Sequence, residues 1–222
     1  MTRAQLSTLI LSWLDDEQQG YFSATDVNTW INNAQFQVQM KLLNAGNNWY
    51  MRPVETFCVA SQSDYILPSD FMFEHRLEVV LSGTGPTENR QRISFITTNQ
   101  QDNYSLSTGI PTAAYLKKDR FTLQPAPDQA YKLRLYYSPI IATLVNDTDV
   151  PDVPPQFMEY LAILAAYDGF IKDDRAPANL VAKHEAYEEL LKKMAINRTQ
   201  DAPRQIVQVG DYSYGDGGIF GF

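Results

Sequence analysis

Cysteine and histidine are almost missing from this chain: Cys58 is the lone thiol, and His75 and His184 are the only imidazoles. One thiol closes no intrachain disulfide, and so few soft ligands exclude a cysteine-rich metal centre. No metal or organic cofactor is expected. Basic residues are also in deficit, with 18 Lys and Arg against 26 Asp and Glu and a formal charge of -8. Tight binding to nucleic acid needs a surplus of cations on some face, so the balance argues against it. It does not exclude a surface past which DNA slides. No apolar run approaches the roughly 20 residues that span a bilayer. The opening Met1-Thr2-Arg3-Ala4-Gln5 leads into no uninterrupted signal core, so synthesis in a cytoplasmic compartment and no membrane partner are expected.

What is present suits a folded chain: 222 residues, 44% of them hydrophobic, suffice for one large domain or two small ones. Thr2 followed by Gln5 reads as a capping box, and Leu6, Leu9, Ile10, Trp13 and Leu14 repeat at helical spacing. This predicts a first helix that ends before Gly20. A second starts after Ser23 or Thr25, with Val27, Trp30, Ile31, Ala34, Val38 and Leu42 as its core stripe and Gly46 as its C-terminal cap. Phe36, Met40 and Leu43 keep helical spacing on another side. A helix apolar on two sides is either sandwiched in a core or shared with a neighbouring subunit, and these three residues are the candidate subunit contact.

From Pro53 the period becomes two. Residues 54–59, 77–81, 93–96, 113–117, 121–124 and 131–137 read as strands separated by turn signals, which predicts a compact antiparallel sheet or small sandwich. Tyr131, Leu133, Leu135 and Tyr137 should point inward, with Lys132 and Arg134 facing water. After a proline-rich connection, Pro155 opens a third helix carrying Phe157, Tyr160, Leu161, Leu164 and Ala165. A fourth carries Leu180, Tyr187, Leu191 and Met194. Neither helical pair could bury its stripe alone, so the expected fold is α+β: a four-helix bundle-like domain, residues 1–52 and 141–200, with an antiparallel β domain, residues 53–140, inserted between the second and third helices.

Several constellations reduce to ordinary structure. Asp147-Thr148-Asp149 lacks the glycine and distal glutamate of a calcium loop and reads as turn acids. Gly83-Thr84-Gly85-Pro86 has no following Gly-Lys-Ser/Thr and reads as a hairpin tip. Glu185, Glu188 and Glu189 beside Lys183, Lys192 and Lys193 read as a solvated helix face. Cys58, in an alternating run, reads as a small core residue.

The end of the chain is different. Residues 201–222 form an extended arm in which Ile206, Val207, Val209, Tyr212, Tyr214, Ile219, Phe220 and Phe222 are separated by five glycines. Tails of no fixed structure are poor in aromatic and β-branched residues. Hydrophobic gain and backbone ordering cost nearly cancel for such an arm alone, so it is expected to order in a partner's groove that also offers strand hydrogen bonds near Ile206 and Val209. The other outcome is a tail folded back on its own β block.

The second helix Asp26-Val27-Asn28-Thr29-Trp30-Ile31-Asn32-Asn33-Ala34-Gln35, the Tyr65-Ile66-Leu67-Pro68-Ser69-Asp70-Phe71 element, the Leu133-Arg134-Leu135-Tyr136-Tyr137 strand and Asp149-Val150-Pro151 before a Pro-led helix together resemble the head-to-tail adaptors of short-tailed bacteriophages. The resemblance runs through nearly the whole chain. It implies a non-enzymatic ring subunit of the virion neck, assembled in the host cytoplasm, in a ring of twelve identical copies. Its partners would be the portal protein above and a tail nozzle or tail tube protein below, with genomic DNA passing through the lumen without sequence-specific binding. On this sequence the portal-docking arm falls on the eight apolar residues from Ile206 to Phe222. Two readings stand beside it: a monomeric module that recognises carbohydrate or protein through exposed aromatics of the β block, and a small hydrolase using Cys58 or a serine with His75 or His184.

Overall fold

The computed structural model describes residues 1–46, 48–103, 107–175 and 177–200, with the side chains of 101–103 and 194–200 left aside. The arm expected over 201–222 therefore lies outside the described residues.

The chain opens with α1 (Arg3–Leu14), started by the expected capping box: the Gln5 N–H donates to the Thr2 hydroxyl, and the Thr2 N–H to the Gln5 side chain. Asp15 in the left-handed region ends it, and the Asp16 carboxylate gathers the N–H groups of Gly20, Tyr21 and Phe22 to reverse the chain. The Phe22 N–H, at 2.7 Å, does most to hold that carboxyl below its ordinary range. A second capping box, Ser23 with Asp26, starts α2 (Ala24–Asn44). All six residues of the expected stripe on α2 are buried. Gly46, at φ 69°, donates to the Leu43 carbonyl and closes the helix.

A 3-10 turn at Pro155–Phe157 leads into α3 (Met158–Lys172). It runs antiparallel to α2, with Lys172 paired to Asp26 at 2.9 Å near the start of α2. Gly169 sits where three helices meet: a Cβ there would lie 2.7 Å from Leu14 Cδ1 and 3.1 Å from Trp30. α4 (Ala178–Gln200) returns alongside α3 and so lies parallel to α2, with Glu188 against Lys41 and Leu191 beside Asn44 and Ala45. Beyond Leu191 it continues for residues 192–200, about 13 Å at 1.5 Å per residue. The four helices contribute to one hydrophobic cluster, which also takes in Tyr50, Ile141, Leu144 and Val153 from the connections.

Between α2 and α3 lie β1 (Arg52–Phe57), β2 (Asp64–Ile66), β3 (Phe71–Ser82), β4 (Asn89–Phe95), β5 (Thr108–Gly109), β6 (Ala113–Lys117), β7 (Arg120–Gln124), β8 (Ala126–Pro127) and β9 (Lys132–Pro139). Seven of them form one curled sheet in the order β1-β9-β3-β4-β6-β7-β2, with β5 and β8 as a separate pair. Its inner face carries a second cluster, with Leu77, Val79, Ile93, Leu123, Leu133 and Leu135 at its centre. The fold is thus mixed α+β.

The sheet departs from the purely antiparallel expectation. β4 and β6 pair in parallel through Ser94–Ala113 and Phe95–Ala114, and β5 and β8 are also parallel. The stretch between Phe95 and Ala113, with its 3-10 turn at Thr98–Asn103, is long enough for the crossover that parallel pairing needs. β3 starts at Phe71 rather than near Leu77, because register shifts between Phe71 and Phe73 and between Glu74 and Arg76 break the alternation there.

Candidate docking surfaces

The junction between helices and sheet is built from amide side chains on α2. Gln39 donates to the Pro139 carbonyl at 2.6 Å, Gln35 to the Ala142 carbonyl at 2.8 Å, and Asn32 both donates to the Leu144 carbonyl and accepts from its N–H at 2.8 Å. Three side chains at helical spacing thus satisfy the extended backbone by which β9 returns to the helices. Gln35 and Gln39 are buried at 2% and 0% exposure, so each bond replaces water.

On the far side of α2 the exposed residues are Thr29, Asn33, Phe36, Gln37, Met40 and Asn44. Phe36 and Met40, one turn apart, form its exposed apolar ground, at 43% and 37% exposure. Leu43, grouped with them by spacing, is half-buried against the helical cluster instead. Leu43 lies one turn after the buried Gln39, on the flank of the core stripe.

The sheet is unfinished at one seam. β1 pairs with β9 alone and β2 with β7 alone, and the two edges line a cleft of about 650 Å³ with Leu77, Phe121, Leu133 and Leu135 among its walls. One end is closed by the Tyr65 hydroxyl, which accepts from the Val59 N–H and donates to the Gln62 carbonyl at 2.8 Å. Val54 and Thr56 stand directly opposite the buried Leu135 and Leu133, yet both are exposed, as is the whole of β1.

The outer face carries a row of alternating charge, Glu55, Arg134, Glu78 and Arg92, in register across β1, β9, β3 and β4. Arg134 reaches Glu55 at 2.5 Å and Glu88 at 3.0 Å, and Lys132 reaches the same two at 2.9 and 3.1 Å. The expectation that Lys132 and Arg134 face water is corrected for Arg134, whose side chain is 12% exposed within this network. Lys132 foremost, then Arg134, holds the Glu55 carboxyl below its usual range.

Glu188 is also corrected: it leaves the solvated face of α4 to take Lys41 and the Tyr160 hydroxyl. Burial pushes its carboxyl up, and the bonds from Lys41 and Tyr160 outweigh that, leaving it below the ordinary value. Lys193–Glu189 remains the expected surface pair at 2.9 Å.

The catalytic candidates are drawn into structural roles. Cys58 is 1% exposed, its sulfur accepting from the Tyr131 N–H at 3.0 Å, and burial raises its thiol. His75 Nε2 lies 2.7 Å from Ser138 Oγ, but Ser138 is 0% exposed and, among the described residues, no carboxylate hydrogen-bonds that imidazole. His184 stacks by Tyr167 and faces Glu188. Asp149 caps the Val145 and Asn146 N–H groups, Asp147 pairs with Arg3, and the described residues hold no group of three or more His, Cys, Asp or Glu placed for a metal. Gly83 and Gly85 form the tip of the β3–β4 hairpin, both at positive φ. No helix among the described residues is long and apolar enough to cross a membrane.

The features that stand out are surfaces: two open strand edges and an exposed stripe on α2. The chain belongs to the SU10 adaptor protein family, whose model matches residues 1–209, a family of phage head-to-tail adaptors. No curated protein matches it. An adaptor of this family is a structural component of the virion, and its role implies contact with portal and tail proteins.

Proposed function

We propose that this chain is the ring-forming subunit that joins the portal vertex to the tail, twelve copies enclosing part of the DNA conduit. The family match over residues 1–209 carries the reading. The formal charge of -8 supports it, since like charge weakens the hold of a lumen on a sliding polyanion. In this reading residues 1–52 and 141–200 act as one four-helix body and 53–140 as the inserted β domain. Phe36 and Met40 face the neighbouring subunit, with Leu43 behind them against the chain's own helical cluster, and the arm from Ile206 to Phe222 docks on the portal, with a nozzle or tube protein below.

The test is to mix the purified chain with portal particles from the same source and image the product, with and without residues 205–222. Rings that attach only when the arm is present are expected. Equal attachment of both versions removes the arm from the portal contact, and failure of both to form rings overturns the ring reading.

A further inference from the structure

The seam between β1 and β2 is open along both strand edges. β1 runs antiparallel to β9, and following the pairings round the sheet leaves β2 antiparallel to β1 across the cleft. Each edge presents backbone groups that its single partner does not use. Side chains directly opposite each other on paired strands share a face, so Val54 and Thr56 belong to the inner face with Leu135 and Leu133. Their exposure means the core is uncovered at that edge, and an occupant must bring apolar side chains at every second position.

One segment of the chain fits both demands. Residues 205–209 read Gln-Ile-Val-Gln-Val, uncharged and rich in β-branched residues, with Val207 and Val209 on one face of a strand and Ile206 on the other. It is also near. α4 lies parallel to α2 and outruns it from Leu191 to Gln200, toward the end from which α2 leads into β1. Residues 201–205, extended at about 3.3 Å each, cover roughly 17 Å more. The closed end of the cleft, at Tyr65 and Val59, is the far one; the Arg52 and Pro68 end faces the helices.

We propose that residues 205–209 of the same chain dock in this cleft as an added strand, parallel to β1 and antiparallel to β2, with Val207 and Val209 turned onto Leu133 and Leu135. Ile206 then lies on the outer face beside Ile66, which is 79% exposed. Tethering makes the own-chain segment the favoured occupant, because its effective concentration at the cleft is in the millimolar range for a short link. Ile206, Val207 and Val209 are then held by their own chain, and the portal contact proposed above falls to Tyr212, Tyr214, Ile219, Phe220 and Phe222. The proposal does not depend on whether that remainder meets a portal.

The test is hydrogen exchange on the full chain, comparing the parent with the Val207→Asp/Val209→Asp variant, with amides of β3 and β9 as the internal reference for an intact fold. The expected result is that edge amides of β1 and β2 exchange about tenfold or more faster in the variant while the reference amides are unchanged. Equal exchange in parent and variant overturns the proposal. Protection of β1 and β2 that rises with protein concentration also overturns it, assigning the strand to a neighbouring copy. Portal attachment is read separately by imaging, so either result leaves that reading standing or falling on its own.

Discussion

Gln39 donates a 2.6 Å hydrogen bond to the carbonyl of Pro139, the last residue of β9, and does so at 0% exposure. Helix and sheet are joined at this point by a side chain rather than by apolar packing alone. Gln39→Leu keeps the side chain's bulk and removes the bond, leaving the Pro139 carbonyl unpaired by that side chain. The expected loss of stability is about 1–3 kcal/mol, the cost of an unsatisfied buried group. Chemical denaturation measures it, with Gln37→Leu on the exposed side as the control, expected within about 0.5 kcal/mol of the parent. Equal midpoints for the two variants would show that the joint contributes nothing.

Gly169 offers a second test, at the meeting of α1, α2 and α3. Gly169→Ala improves helix propensity by roughly 1 kcal/mol. Its methyl group must displace Leu14, whose Cδ atoms lie 2.7 and 2.9 Å from the Cβ position. Overpacking of this kind costs about 1–3 kcal/mol, so the net expectation is a lower unfolding midpoint. Gly169→Ala with Leu14→Ala should lose less than the sum of the two single changes, because the second relieves the clash made by the first. Additive losses would mean that the two sites do not press on each other.

The helices were legible because their signals are local. Thr2 with Gln5 and Ser23 with Asp26 are both capping boxes, although the second was read only as a helix start, and the stripe from Val27 to Leu42 is buried throughout. The joint was not legible, since Asn32, Gln35 and Gln39 look like surface residues until a distant backbone is laid against them. Their amide spacing along one face was the available signal. Glu188 was misread for the same reason: its partners Lys41 and Tyr160 come from two other helices. In the sheet, bulges hid the first half of β3, and the parallel pairing of β4 with β6 depends on a crossover that period-two patterning does not record. The open seam is a property of sheet curl, which brings β1 and β2 to one cleft from opposite ends of the strand order.

Asp26 gives a pH dependence. The Ser23 hydroxyl foremost, then Lys172 across the gap to α3, lowers its carboxyl from the ordinary 3.8 to about 2. A depressed carboxylate stabilises the fold above its unfolded value and loses that contribution as pH falls through the folded one. The window is therefore from about pH 4 down to pH 2. Asp26→Asn should melt below the parent at pH 6, with the gap closing across this window. Added salt should narrow the gap at pH 6, since both partners are partly exposed and screened. A gap that is constant from pH 6 to pH 2 would show that the charge is not what Asp26 contributes.

The three residues assigned by spacing to the subunit contact divide by environment, and that division makes the assignment testable. Leu43 packs on the helical cluster, so Leu43→Glu buries a charge beside apolar neighbours and should destabilise the subunit itself. Phe36 and Met40 stand in solvent in the isolated chain, so Phe36→Glu and Met40→Glu should leave the unfolding midpoint within about 0.5 kcal/mol of the parent. If α2 meets a neighbour through them, each change removes an apolar anchor and leaves a carboxylate to be desolvated at the interface. A loss of about 2 kcal/mol per contact, roughly thirtyfold in association, is then expected, measured by sedimentation velocity across a concentration series. Because folding and assembly are read separately, a double variant that folds and assembles like the parent removes this face of α2 from the subunit contact.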